Sequence, residues 1–127
     1  MVTVARWHLL GTPIVYTADH PATALVEYLV HIDLEDLPTN FQLLEIDFPA
    51  AAKILVPELP GDWKDNRAAT GRIGSDFVNG AMAPIVEVPS VIVPFAKNYL
   101  LNPALFRDAG IRVVGTTLHP FDPRLLR

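Results

Sequence analysis

Twelve prolines, spread from Pro13 to Pro123, constrain the fold of this 127-residue chain more than any other feature. Proline fixes φ and has no backbone N–H, so it breaks helices and is excluded from the middle of a sheet. The elements between the prolines must therefore be short. We predict many short strands with definite corners.

Runs of β-branched and apolar residues mark where those strands should lie. The first two are expected on either side of a turn at Gly11-Thr12-Pro13, and a third should end at Pro49 with one face buried. The predicted strands cover 2–5, 13–17, 41–48, 85–88, 91–93 and 111–115.

Helices are predicted at fewer places. Asp19-His20-Pro21 supplies a cap candidate and a proline for a first helical turn, and the helix should run to about Ile32. Its apolar stripe at helical spacing comprises Ala22, Leu25, Val26, Leu29 and Val30. Two more helices are expected at 66–78, within an irregular excursion, and at 103–109. Strands and helices that do not strictly alternate favour an α+β fold, a single compact domain with a mixed or antiparallel sheet.

Composition narrows the classes of function. The net charge is −4 and no Lys or Arg run interleaves with aromatics, so direct binding of nucleic acid is not expected. Cysteine is absent, the start lacks a secretory leader pattern, and no stretch approaches the ~20 apolar residues of a membrane span. We expect a cytoplasmic protein without membrane association. Only 19% of residues are charged, so part of the apolar surface should be covered by a partner.

Three residues near the start attract attention as a possible ligand site. Glu27 is the only charged residue of its predicted helix, either a solvated carboxylate or one that faces a cavity and stabilises positive charge at an anomeric carbon. Arg6 offers a planar fork of donors suited to pyrophosphate, or else is a surface residue covering Trp7. Tyr16 offers a ring for stacking, or else packs at the edge of the core.

Other site chemistries have less support. Ser90 lies between two predicted strands, as a corner residue or as a hydroxyl for a ribose or amide group. No His-Glu-x-x-His or Gly-x-Ser-x-Gly pattern is present, so neither a metal site nor a serine hydrolase is expected. Gly71-Arg-Ile-Gly74-Ser75 lacks the remainder of a phosphate-binding fingerprint and is more economically a turn.

Short motifs follow one another along nearly the whole chain. They are Arg6-Trp7 with Gly11-x-Pro13-x-Val15-Tyr16-Thr17, Ala24-Leu25-x-Glu27 with Leu29-Val30-His31, Val88-Pro89-Ser90-x-x-Val93-Pro94, Asn98-Tyr99-Leu100-Leu101-Asn102-Pro103 and Pro120-Phe121-Asp122-Pro123-Arg124-Leu125. No single motif is decisive, but their order and combination resemble the RES domain. That family is named for an Arg, a Glu and a Ser, which correspond by motif to Arg6, Glu27 and Ser90, while Tyr16 falls on its site tyrosine.

The resemblance implies an ADP-ribosyltransferase-like fold and the toxin of a bacterial type II toxin–antitoxin pair. Such toxins consume NAD by breaking its nicotinamide–ribose bond, passing ADP-ribose to water, phosphate or a protein acceptor. The expected partner is an antitoxin that carries the DNA-binding part, in a hetero-oligomer. NAD would be the co-substrate, with no metal.

Roles for individual residues follow from the resemblance. Arg6 would hold the pyrophosphate and Tyr16 would stack on the nicotinamide or its ribose. Glu27 would bind the ribose and support the transition state, kept ionised by donors such as His31, and Ser90 would position the nicotinamide–ribose end.

The chain departs from the family pattern at its start. The family usually has a further segment with another site arginine and an Asn where this chain has His8, whereas only Met1 to Ala5 precede Arg6. The RES domain over 1–127 is thus expected to be short at its N-terminus, by nature or because the start has been cut. Two alternatives stay open: a catalytically silent domain kept for antitoxin binding and autoregulation, and an unrelated small-molecule-binding domain.

Overall fold

The structure is a computed structural model that describes Trp7 and residues 13–126. In chain order its strands and helices are β1 Val15–Ala18, α1 Pro21–Val30, β2 Asn40–Asp47, β3 Ile54–Leu55, α2 Arg67–Gly80, β4 Ile85–Pro89, β5 Lys97–Leu101, α3 Phe106–Ala109 and β6 Arg112–Pro120. Short 3₁₀ turns lie at Leu34–Asp36, Trp63–Asp65, Pro103–Leu105 and Pro123–Leu126. The predicted α+β class is confirmed.

Four strands form a mixed sheet in the order β1-β5-β4-β3. Strand β5 is antiparallel to both of its neighbours, β1 and β4, while β3 runs parallel to β4. The register sets Ala18 opposite Asn98 and Asn98 opposite Val88. Because side chains alternate between faces, one face carries Tyr16, Ala18, Asn98, Leu100 and Val88.

Each face of this sheet is covered by a different part of the chain. On the Tyr16 face, Val86, Val88 and Leu100 pack with Trp7 and with Phe77 of α2. On the opposite face, Ile85 and Leu101 pack with Ile111 and with partly buried residues that include Phe106 of α3. The central strands β4 and β5 therefore carry buried apolar residues on both faces of the sheet.

Strands β2 and β6 form a separate antiparallel ribbon with a bulge after Glu45. One side of the ribbon contacts α1 through aromatic rings. The ring centroids of Phe41 and Phe121 are 4.8 Å apart, and those of Phe121 and Tyr28 of α1 are 6.1 Å apart. Tyr28 directly follows Glu27, so the ribbon supports the helix that carries this carboxylate.

Local hydrogen bonds explain where the helices begin and end. His20, rather than Asp19, caps α1 by accepting from the backbone N–H of Ala22, and Pro21 follows at the first helical position. Asp19 instead accepts from the backbone N–H of Lys97 in β5. Asn66 caps α2 by accepting from the N–H of Ala69. Helix α1 ends at Val30, two residues before the predicted end.

Several predictions about elements were wrong. Residues 91–93 are not a strand, because the hydroxyl of Ser90 accepts the backbone N–H groups of Ile92 and Val93 and forms a local turn. Strand β5 was not predicted, since Lys97 and Asn98 have low β propensity. The segment 71–75 lies within α2 and is not a turn. The strand predicted at 2–5 lies outside the described residues.

The predicted buried stripe of α1 was also wrong in part. Thr23 is the buried residue of this helix, while Val26 and Val30 are 37% and 56% exposed. Glu27 lies one turn after Thr23 and is half-buried. Helix α1 thus turns a polar side toward the sheet, because donors on the sheet stabilise Glu27 there.

Candidate active site

The carboxylate of Glu27 contacts two side chains of the sheet. Ser90 Oγ donates a hydrogen bond to Glu27 Oε1 at 2.7 Å, and Asn98 Nδ2 donates to the same oxygen at 3.2 Å. Among the residues that the structure describes, no hydrogen bond reaches Oε2. Two donors on one oxygen fix the orientation of the carboxylate and stabilise its negative charge, while its second oxygen is left for a ligand.

Ser90 follows the last residue of β4 and is buried. Its hydroxyl accepts the backbone N–H groups of Ile92 at 3.2 Å and Val93 at 3.0 Å while it donates to Glu27. Its own backbone N–H donates to Ala96 O at 3.0 Å. Ser90 therefore connects the loop 91–96 to the carboxylate of Glu27.

Asn98 is a site residue that sequence reasoning assigned no role. It lies in β5, between β1 and β4, and is 9% exposed. Its Oδ1 is buried without a hydrogen-bond partner, which costs about 1–3 kcal/mol. A signal was available, since Asn98 opens the Asn98-to-Pro103 motif and is a polar residue before an apolar pair. The cost indicates that the amide is retained for its bond to Glu27.

Tyr16 lies on the same sheet face as Asn98, at the other end of β1 from Ala18. Its hydroxyl accepts a hydrogen bond from the backbone N–H of Trp7 at 3.3 Å, and the residue is 42% exposed. Burial raises the pKa of Tyr16 to about 12, and the hydrogen bond from Trp7 opposes that shift. Tyr16 is therefore a neutral phenol at physiological pH, with part of its ring open to solvent.

Trp7 is anchored by contacts on several sides. It is 2% exposed, and its ring stacks on Trp63 with centroids 5.6 Å apart. Its carbonyl oxygen lies so near Gly74 of α2 that a Cβ there would be 1.3 Å away. Arg6 lies outside the described residues, but the residue after it is held by β1, by the Trp63 turn and by α2.

The structure thus brings Glu27 and Ser90 into direct contact and places Tyr16 on the same face of the sheet. His31, expected as a donor to Glu27, is exposed at the end of α1, and the donors are instead Ser90 and Asn98. The solvated alternative for Glu27 is not what the structure has, because this carboxylate is half-buried and hydrogen-bonded.

Other motif residues have structural roles. Asn102 is 1% exposed, accepts from the N–H of Ala104 and donates to Val78 O at the end of α2. Phe121 packs in the aromatic cluster described above, and Asp122 forms an exposed ion pair with Arg124 at 2.6 Å. Asn102 and Phe121 therefore contribute to the packing of the scaffold, whereas the exposed ion pair contributes little.

Within the described residues, no three His, Cys, Asp or Glu side chains lie close enough together to bind a metal ion. Nor do those residues include a helix that is both long and apolar enough to cross a membrane. Two open, mostly apolar cavities, of about 370 and 250 Å³, are lined by residues other than Glu27 and Ser90. Hydrogen-bonding chemistry, not cavity size, therefore identifies the site.

Comparison with known proteins identifies related sequences. A family model described as the RES domain matches residues 3–122. A protein of Pseudomonas putida named Toxin Res is 41% identical over 101 residues, which cover 77% of this chain and 70% of the relative. A Toxin Res of Yersinia enterocolitica is 31% identical over 130 residues, 94% of this chain and 82% of the relative.

A further relative has a more specific name. The protein named Prs ADP-ribosylating toxin, from a Sphingobium species, is 36% identical over 133 aligned positions, which cover 99% of this chain and 83% of the relative. The residues matched by the family model include Tyr16, Glu27, Ser90 and Asn98.

Proposed function

Because the chain belongs to the RES-domain family, we propose that it is a toxin that binds NAD and breaks the bond between nicotinamide and ribose. The observation that carries this proposal is the carboxylate of Glu27, fixed through Oε1 by Ser90 and Asn98. The names of the relatives support the same class of activity, since one is an ADP-ribosylating toxin.

Glu27 is the proposed catalytic carboxylate. When the bond between ribose C1′ and the nicotinamide nitrogen breaks, its electron pair leaves with nicotinamide and positive charge develops on the ribose. A fixed negative charge stabilises that transition state more than the ground state. The free oxygen Oε2 is suited to accept a hydrogen bond from a ribose hydroxyl, while Ser90 and Asn98 keep the carboxylate from rotating.

Arg6 and Tyr16 are the proposed groups for the remainder of NAD. Arg6 would hold the pyrophosphate with its planar donors, and thereby fix the reacting end of the dinucleotide. The partly exposed ring of Tyr16 would stack on the nicotinamide or its ribose.

An oxygen nucleophile would complete the reaction. Water, phosphate or a protein side chain attacks C1′, gives up its proton and takes the ADP-ribose. The name of the Sphingobium relative suggests transfer of ADP-ribose to a protein. Prs, which that name contains, is therefore the first acceptor to assay. The partner would be an antitoxin that carries the DNA-binding part, and the proposed compartment is the cytoplasm.

The test is nicotinamide release from NAD by the wild-type protein and by Glu27→Gln. The amide keeps the shape and an acceptor for Ser90 and Asn98 but removes the charge, so release should fall about 100-fold or more. Exposed Glu58 provides the control, because Glu58→Gln removes the same charge elsewhere and should leave release unchanged.

The acceptor is identified in the same assay. Release that requires phosphate indicates phosphorolysis, label from NAD on purified Prs or another host protein indicates transfer, and release in buffer alone indicates hydrolysis. Undiminished release by Glu27→Gln would refute the assignment of this carboxylate, and no release by the wild-type protein under any condition would refute the proposed activity.

A further inference from the structure

The loop between β4 and β5 ends in a tight turn with an unusual residue. The N–H of Ala96 donates to Val93 O at 3.2 Å, so Pro94 and Phe95 are the two central residues of a β-turn. Phe95 has a φ of +68°, in the left-handed region. A turn with proline first and positive φ second normally has glycine or asparagine at the second place.

Phenylalanine at this position is disfavoured for two reasons. A bulky side chain in the left-handed region strains the backbone, and such strain clusters at functional sites. Phe95 is also 100% exposed, so no packing against the described part of the chain offsets the strain or the hydration of the ring. Glycine would relieve both costs, which means that folding does not explain this residue.

The turn that carries Phe95 is connected to the proposed catalytic carboxylate through Ser90. Ala96 accepts a hydrogen bond from the backbone of Ser90, whose hydroxyl contacts Glu27. Partners in such a bond have Cα atoms about 5.5 Å apart and successive Cα atoms are about 3.8 Å apart, so the Cα of Phe95 is within roughly 9 Å of that of Ser90. The hydroxyl that orients Glu27 thus also organises the loop that carries Phe95.

We propose that Phe95 contacts the protein acceptor of ADP-ribose and determines which protein is modified, a role that rests on the proposed function. A dinucleotide is bound within a concave surface that buries most of it, whereas Phe95 is fully exposed. A protein surface supplies its own pocket, and a single buried aromatic side chain is a common anchor of such interfaces. Because Ser90 connects this loop to Glu27, an acceptor held by Phe95 would have its side chain near ribose C1′.

The test measures protein labelling per nicotinamide released, with labelled NAD and host Prs or whole host extract as the acceptor. Phe95→Ala should lower this ratio at least about tenfold, mainly through KM for the acceptor. Phe95→Gly should lower it equally and raise the thermal midpoint by a few degrees, because glycine adopts positive φ without strain. Phe95→Tyr should keep most of the labelling, since it keeps the ring.

Met82→Ala is the matched control, because Met82 is another exposed apolar side chain on a different loop. It should leave the ratio unchanged. A ratio that stays constant in Phe95→Ala would overturn the inference, and so would a parallel loss of labelling and nicotinamide release, which would assign Phe95 to the dinucleotide. A wild-type protein that releases nicotinamide but labels no protein would refute the role of Phe95 and leave the proposed function intact.

Discussion

Tyr16 keeps its proton far above neutral pH, because burial raises its pKa from 10.0 to about 12 and the hydrogen bond from Trp7 reverses only part of that shift. The phenol consequently acts as a hydrogen-bonding group between β1 and Trp7, which follows Arg6 in the chain. The hydroxyl of Tyr16 thus connects the sheet to Trp7, the residue that follows Arg6. Arg6 is the residue proposed to bind the pyrophosphate.

The raised pKa predicts a loss of stability at alkaline pH. Between pH 10 and 12 an unfolded tyrosine releases its proton while native Tyr16 retains it, so the native state binds more protons and the free energy of unfolding falls as pH rises. Tyr16→Phe should reduce this slope, as measured by urea unfolding at a series of pH values. Tyr99, whose pKa is also raised by burial and by Glu87, accounts for a remaining slope. Equal slopes in both proteins would contradict the assignment.

The sequence indicated which single residues could serve a site, but not which of them contact each other. Glu27 stood out as the only charge on its helix, and Ser90 as a hydroxyl at a corner. Their contact spans 63 positions and depends on which side of α1 faces the sheet. The apolar stripe indicated the buried side only in part, because the energy of a half-buried carboxylate depends on donors that only the folded sheet provides. Asn98 was missed although its motif offered a signal, because its partner Glu27 lies on a distant element.

The position of helix α2 depends on Gly74, which has no side chain. Gly71, Gly74 and Ser75 are buried on this helix, and the small face they form lets the backbone of Trp7 approach. The sequence predicted a helix at 66–78, which ends two residues before the observed helix. The segment 71–75 was interpreted as a turn instead. The close approach of Trp7 explains the glycine at position 74, and local pattern alone does not reveal it.

Gly74→Ala should separate α2 from Trp7. A Cβ at this position would lie 1.3 Å from the carbonyl oxygen of Trp7, so the backbone must shift, with a loss of stability of about 1–3 kcal/mol or more. Because Trp7 follows Arg6, KM for NAD should rise as well. Urea unfolding and nicotinamide release measure the two effects.

Gly80→Ala is the control in the same helix. Its Cβ would meet only Met82 Cγ at 3.7 Å, an ordinary contact, so alanine should be neutral or stabilise the helix by up to about 1 kcal/mol. A Gly74→Ala variant as stable as Gly80→Ala would show that the contact with Trp7 does not hold the helix in place.

The molecule as a whole combines a sheet that is packed on both faces with a ribbon that has one exposed side. Leu44 and Leu118 are 48% and 68% exposed, and the register of β2 and β6 places both on the ribbon side opposite the aromatic cluster. Low overall charge was a correct indication of apolar surface, and α+β was the correct class. The sequence did not predict that β2 and β6 form their own sheet, because pairing between distant strands is not a local property.

This outer side of the ribbon predicts association. The protein alone should self-associate as its concentration rises, and Leu44→Ser with Leu118→Ser should reduce this, because both changes remove exposed apolar area. Addition of the protein encoded by the neighbouring gene should instead give a defined complex with lower nicotinamide release. Size-exclusion chromatography with light scattering measures both. A stable monomer without affinity for that neighbour would count against the antitoxin partnership.

The three hydrogen bonds of Ser90 Oγ have a consequence for chemistry. A hydroxyl oxygen has two lone pairs and one proton, and here Ile92 and Val93 occupy the lone pairs while Glu27 takes the proton. No electron pair is left to attack a sugar carbon, so Ser90 would not become ADP-ribosylated itself. The hydroxyl of Ser90 therefore orients Glu27 and does not itself replace nicotinamide on the ribose.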